Sequence, residues 1–291
     1  MVRHMSFLNK VEHCNRRDMG RFLPFIVAGA QYGWLTPERA AAILAFTHVF
    51  QPALGGVTLN PALSTAAARS QAIAALTPAF LGTGLFLPPR GELYAVRNQW
   101  SDRSVFRIDR AFMPAFGLRA YGVHVNGVVP TRDGLHLWIG TRARDLKVEP
   151  GKLDNMVAGG QPAGLGLMEN LVKECGEEAH IAPKLARTAK AASVVTYSFA
   201  CPEGLRVDTL FCYDLAMPTA VKPRSSEEIS RYQLMPLAQA LKLVKSTARF
   251  KFNVNLVIID FAIRQGIITP ENTPDFEQIV AGLHERPRFI I

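Results

Sequence analysis

VAGGQPAGLGLMENLVKECGEEAHI, residues 157–181, is the stretch on which the fold turns. Glycines at 159, 160, 164 and 166 suit a loop whose backbone takes conformations, or admits a ligand, that a side chain would obstruct. A helix follows. At about 100° per residue, Met168, Leu171, Val172, Cys175 and Ala179 share one face, while Glu174, Glu177 and Glu178 gather within about 100° on another. Like charges three and four residues apart repel by roughly 0.2–0.5 kcal/mol per pair. A solvated acidic face is the ordinary outcome of such a triplet. A hard divalent cation reverses the sign: Mg²⁺ takes carboxylate oxygens and keeps positions for water and substrate phosphates. Gly176, inside the helix, costs roughly 0.8–1.0 kcal/mol relative to Ala, for which close approach of another group is one reason.

The rest of the chain sets broad limits. Its 291 residues, 48% hydrophobic and 20% charged, suit a globular protein of one large or two medium domains, and two are favoured. The formal charge of +9 suits a phosphorylated metabolite or a polyanion, but no four basic residues run together, which argues against a nucleic-acid binder. Cys14, Cys175, Cys201 and Cys212 lack CxxC spacing, and Arg16, Arg17 and Asp18 interrupt any apolar leader. A reduced, cytoplasmic setting is therefore expected. IAALTPAFLGTGLFLPP (73–89) is too short and too broken by Pro78, Gly82 and Gly84 to span a membrane, and reads as buried core.

Local signals place elements along the chain. Thr36 and Pro37 open a helix, and Ser64 is expected to open another that ends before Pro78. GELYAVRN reads as a strand after Pro88-Pro89. From FGLRAYGVHVNGVV onward strands alternate, with Tyr121, Val123 and Val125 on one face and a turn at Asp133-Gly134 before LHLWIGTR. SVVTYSFAC and VDTLFCYDLA are further strands, and NVNLVIIDFAIRQG is a closing helix stopped by Gly266. The class is α/β, with a boundary near residue 115.

At residues 159–181 the chain resembles the Nudix hydrolases. Their signature runs Gly, five residues, Glu, seven residues, Arg-Glu, an apolar residue, any residue, Glu-Glu, any residue, Gly, apolar. Gly159 takes the first glycine, Lys173-Glu174 the Arg-Glu pair, Cys175 the apolar place, Glu177-Glu178 the double acid and Ile181 the last position. Leu165 stands at the first glutamate and His180 at the final glycine, where His tolerates a left-handed cap better than most residues. YGVHVNG, LWIGTRARDLKVEPGKLDNMVAGG, LVKECGEEA and FNVNLVIIDFAIRQGIITPEN are similar to a narrower Nudix subfamily, related to the hydrolase part of thiamine pyrophosphokinase fusions. That resemblance implies a C-terminal α/β/α sandwich (116–291) with a smaller mixed α+β N-terminal domain (1–115). It also implies Mg²⁺-dependent phosphohydrolase activity on thiamine diphosphate or its damaged oxo and oxy analogues.

Glu174, Glu177 and Glu178, with Lys173 beside them, form the candidate catalytic set, and the three acids are the candidate metal ligands for Mg²⁺ or Mn²⁺. Glu228, in SSEEISRYQLMP, resembles an acid of a later family segment and is a candidate extra ligand or base, with a solvated loop acid as the alternative. Arg142, Arg144 and Lys147 are candidates for phosphate oxygens. His124 and Asn126 share a strand face and are candidates for a substrate ring, with a satisfied core pair as the alternative; Gly159 and Gly160 border the substrate. The expected partner is a small-molecule diphosphate, with no nucleic acid or membrane, for a monomer or homodimer. Within enzymes the competitor is a nucleotide pyrophosphatase or an isopentenyl-diphosphate-isomerase-like protein; outside them it is a non-catalytic sensor.

Overall fold

The computed structural model describes residues 6–287. Its first half contains α1 (Phe7–Cys14), β1 (Leu23–Val27), β2 (Ala30–Leu35), α2 (Pro37–Leu44), β3 (Phe50–Ala53), β4 (Gly56–Leu59), α3 (Ala66–Ala75), α4 (Thr77–Gly82), β5 (Leu93–Val96) and β6 (Phe106–Asp109). Thr36 caps α2 as expected, its hydroxyl accepting from the Arg39 N–H. Thr65, not Ser64, caps α3: Thr65 holds the extended backbone a cap needs and accepts from Ala68 N–H at 3.1 Å. Strands β2-β1-β4-β3 form a four-stranded sheet and β5-β6 a hairpin. Between them lies a phenylalanine-rich core in which Phe25, Phe50, Phe80 and Phe116 pack ring to ring. The apolar run at 73–89 joins this core through Ile73, Leu76, Phe80 and Phe86, while Leu81 and Leu87 stay exposed.

The second half contains β7 (Arg119–Thr131), β8 (Gly134–Arg142), β9 (Leu153–Asp154), β10 (Val157–Gly160), α5 (Leu167–Ala179), α6 (Pro183–Ala186), β11 (Lys190–Cys201), β12 (Gly204–Ala216), β13 (Ile229–Pro236), α7 (Leu237–Ser246), α8 (Val254–Arg264) and α9 (Phe276–Leu283). Strands β11-β12-β7-β8-β13 form the path of a seven-stranded mixed sheet, with β10 paired to β7 and β9 to β8. Alternation along β7 sends Val123 and Val125 to the side of α5, and its neighbours His124 and Asn126 to the side of α8. On one face Leu171, Cys175 and Ala179 of α5 pack on the sheet; on the other α7, α8 and α9 cover it. This is an α/β/α sandwich.

Gly134 at φ +108° makes the β7–β8 turn, and Gly266 at φ +67° ends α8. The helix α8 does not close the fold, because α9 follows it. α9 packs on α1, which itself sits against α7, α8 and β11, with Val11 and Cys14 in the C-terminal core. Residues 7–14 therefore belong by packing to the half that begins near residue 116. Trp34 of β2, with Leu205 and Val207 of β12, ties the two halves together. Among the described residues no helix is long and apolar enough to cross a membrane.

Candidate active site

The helix α5 begins at Gly166, whose N–H donates to the Glu169 carboxylate at 2.8 Å, so an acid three residues in does the capping. It ends on His180 at φ 54°, ψ 35°, in the left-handed cap expected for a residue standing at a glycine position. The His180 and Ile181 N–H groups return to Gly176 and Cys175 carbonyls, and His180 Nε2 lies 3.1 Å from Ser225 O. Gly176 has open space where a side chain would stand, so no close approach explains it.

Glu178 is 6% exposed. It lies only about 20° around the helix from Leu171, so burying the apolar face draws it in. One carboxylate oxygen accepts the Ala158 N–H of β10 at 2.9 Å. Burial raises this carboxyl well above its ordinary range, the Ala158 N–H opposes that rise, and the charges of Asp154, Glu174 and Glu228 add to it. Glu174 packs its carboxyl against the Cα of Gly159, where any Cβ would collide with it. Burial raises Glu174 too; Lys173 pulls it down while Glu177 and Glu228 push it up. Glu177 points to solvent and pairs with Lys173 Nζ at 2.6 Å, and the same amine lies 3.3 Å from Glu174.

Glu228 is exposed on the loop before β13, where its carbonyl accepts the Ala143 N–H at 2.8 Å. That bond brings the loop carrying Arg144 and Lys147 alongside it, both residues exposed. The sequence missed Tyr94 of β5, whose hydroxyl abuts Gly160 so closely that no side chain fits there. Both glycines thus admit side chains of the protein, and Gly160 admits one from the first half. Nothing local in the sequence marks that contact.

Three expected substrate contacts are corrected. Arg142 is buried and pairs with Asp154 at 2.9 Å while also donating to Val148 O. His124 faces Asn155 Oδ1 at 2.8 Å, Asn155 donates to Asn126, and Asn126 donates to Asp214, which pairs with Arg264 of α8. The alternation correctly put His124 and Asn126 on one face, but it is the face turned away from α5. Burial, with the positive charge of Lys251, lowers His124 to about 4, so it is neutral at pH 7.

Among the described residues no three His, Cys, Asp or Glu side chains converge closely enough to hold a metal ion. What the chain does present is a pair, Glu174 and Glu178, whose carboxyls are raised first by burial, with the charge of Glu228 adding to both and that of Glu174 adding to Glu178. That donor set fits Mg²⁺, which needs only one or two carboxylates besides water and phosphate. Glu177 joins it only by leaving Lys173.

Comparison with known proteins adds a lineage. Residues 6–120 match the family model described as a domain of unknown function, DUF4743. Over 272 residues the chain is 39% identical to Nudix hydrolase 24, chloroplastic, of Arabidopsis thaliana, covering 92% of this chain and 74% of that protein. It is 37% identical to Nudix hydrolase 20, chloroplastic, of the same plant, over 92% of this chain and 75% of that one. A crystal structure from Deinococcus radiodurans aligns at 20% identity and a TM-score of 0.43, over 58% of this chain and 98% of that one. The chloroplastic names of both plant relatives overturn the expectation of a cytoplasmic protein. Cys14, Cys175, Cys201 and Cys212 are free thiols, but free thiols report a reducing environment, not a compartment.

Proposed function

The chain belongs to the Nudix hydrolase family of pyrophosphate-cleaving enzymes, and on that premise we propose that it hydrolyses thiamine diphosphate or its oxo and oxy analogues. The products are the monophosphate and phosphate. The family generally uses a divalent cation such as Mg²⁺. The observation that carries the reading is the Glu174–Glu178 pair, set against β10 by Gly159 and Ala158. A divalent cation held there would neutralise the diphosphate and activate water.

The chain's own residues have separate tasks in this reading. Glu178 is fixed through one oxygen by Ala158 N–H, and its other oxygen has no hydrogen-bond donor among the described residues. Glu174 supplies the second carboxylate. Glu228, whose charge acts on both, is the further ligand or the acceptor of the water's proton. Lys173 holds Glu177 and Glu174 in register. Arg144 and Lys147 remain available to phosphate oxygens. The chain divides near residue 115, with α1 returned to the C-terminal unit.

In this reading the ring of the substrate meets an aromatic cluster beside the site. Trp100 stands edge-on to Tyr121 and Phe211, with centroids 5.5 and 5.6 Å away. Tyr121 accepts the Gln161 N–H through its carbonyl and so borders the loop that enters α5. The Arg97 guanidinium already lies over the Trp100 ring, 4.3 Å from its centroid, so the cluster offers a substrate ring stacking area rather than a free cation site.

The test is phosphate release from thiamine diphosphate, its oxo and oxy analogues, ADP, an ADP-sugar and isopentenyl diphosphate, with and without Mg²⁺. Metal-dependent turnover favouring the thiamine compounds is expected. Glu178→Gln should lower it about 100-fold or more, equivalent to about 3 kcal/mol of transition-state stabilisation, in a protein that melts no lower than wild type. Turnover of nucleotides alone would discard the thiamine assignment and keep the hydrolase. Binding without turnover of any compound would move the reading to a sensor.

A further inference from the structure

The hairpin β5–β6 of the first half is seated on the same strand–loop–helix unit that carries Glu174 and Glu178. Tyr94 closes on Gly160, and Leu93 O accepts the Ala163 N–H at 2.8 Å. At the end of β6, buried Asp109 accepts N–H groups from Arg90, Gly91 and Ala111, which fixes the turn that presents Arg110. Arg110 is tied twice to Glu92: its N–H donates to Glu92 O at 2.9 Å and its guanidinium to the carboxylate at 2.5 Å. The remaining guanidinium N–H groups have no protein acceptor among the described residues, and the side chain is 37% exposed.

Most other cations near the acids are already engaged. Arg142 is locked to Asp154 and Val148, and Lys173 to Glu174 and Glu177. Arg144 and Lys147 sit on an exposed loop. Arg110 differs in being half-buried on a fixed turn with part of its planar fork open, the geometry that takes two phosphate oxygens at once. Its surroundings agree. Burial would lower its affinity for the proton, but the bond to Glu92 and the charges of Glu92 and Glu228 work against that, and Glu228 is the same residue whose charge reaches Glu174 and Glu178.

We propose that Arg110 binds the diphosphate of the substrate, so that the N-terminal unit, whose family model is described as a domain of unknown function, supplies part of the active site. Glu92 holds the guanidinium in place and competes with phosphate for it. This inference rests on the hydrolase reading given above, and its test separates the two.

Steady-state phosphate release from thiamine diphosphate and from ADP, with Mg²⁺ present, is measured on the full chain for wild type, Arg110→Ala, Arg110→Lys, Glu92→Gln and Glu178→Gln. Arg110→Ala should raise KM at least tenfold with kcat within threefold, and should flatten the rise of KM with ionic strength. Arg110→Lys, which keeps the charge and loses the fork, should recover part of the loss. Glu92→Gln should lower KM by two- to threefold. If Arg110→Ala does not fold, Arg110→Lys and Glu92→Gln carry the same prediction in opposite directions. A KM within twofold of wild type in the Arg110 variants, beside an inactive Glu178→Gln, overturns the role of Arg110 alone. Wild-type turnover in Glu178→Gln overturns the hydrolase reading of the site itself.

Discussion

The two faces of the seven-stranded sheet treat buried charge in opposite ways. On the α8 face Asp214 accepts from Asn126 and from both terminal nitrogens of Arg264, Arg264 also donates to Asp260, and Asp260 accepts from Ser193. Each carboxylate there meets a donor that matches it. On the α5 face Glu178 is pressed toward β10 with one backbone N–H as its donor and Glu174 with a lysine it shares with Glu177, and burial raises both carboxyls, the charge of Glu174 adding to the rise of Glu178. A closed network rigidifies a fold. Carboxylates held together short of donors store repulsion that a cation relieves, which is how a binding site differs from a structural one.

The contrast can be broken first at Arg264. Replacing it with Ala takes from Asp214 and Asp260 the cation they share, leaving them only the neutral donors Asn126 and Ser193, and should cost about 3 kcal/mol of stability, read from denaturant melts. A loss below 1 kcal/mol would show that the α8 network is not what holds that face. The same substitution should leave KM within twofold, since the network lies across the sheet from the acids.

His124 sharpens the comparison through pH. Its pKa is lowered on folding from 6.5 to about 4, so the unfolded chain takes the proton first. Stability from this group is full above about pH 6.5 and falls as pH drops toward 4, by up to about 3 kcal/mol. His124→Gln keeps a donor for Asn155 and should remove that component. The difference in unfolding free energy between wild type and variant, measured at pH 7 and pH 4.5, gives its size. An unchanged difference at the two pH values would mean that His124 is not buried neutral.

The smallest expected effect is at Glu177, the acid turned to solvent. Glu177→Gln breaks an exposed pair with Lys173 and should change stability by less than about 0.5 kcal/mol. A larger change in thermal melts would mean that Lys173 and Glu177 brace α5 rather than await a ligand.

Much of this was written locally. Thr36-Pro37, Asp133-Gly134, Gly266 and the apolar stripe of α5 each act through a few neighbouring residues, and the elements they mark are where the sequence reading puts them. The burial of Glu178 was not read from the sequence, which grouped it with Glu174 and Glu177 apart from the apolar stripe, although it stands only about 20° around the helix from Leu171. The destination of Arg142, His124 and Asn126 was not legible either. Their partners Asp154, Asn155, Asp214 and Arg264 come from strands and a helix distant in sequence, and period-2 alternation states that two residues share a face without stating which layer covers it. The docking of α1 on the C-terminal core and of Tyr94 on Gly160 is likewise long-range packing, invisible to spacing.

The most direct measurement is the thermal melt of the full chain titrated with Mg²⁺ and Mn²⁺, for wild type beside Glu174→Gln and Glu178→Gln. A ligand that binds only the folded state raises the melting temperature with concentration. The account predicts a concentration-dependent rise in wild type, and a metal-free rise with little further response to metal in the two variants. A wild type insensitive to both cations, or variants that respond as fully as wild type, would contradict it.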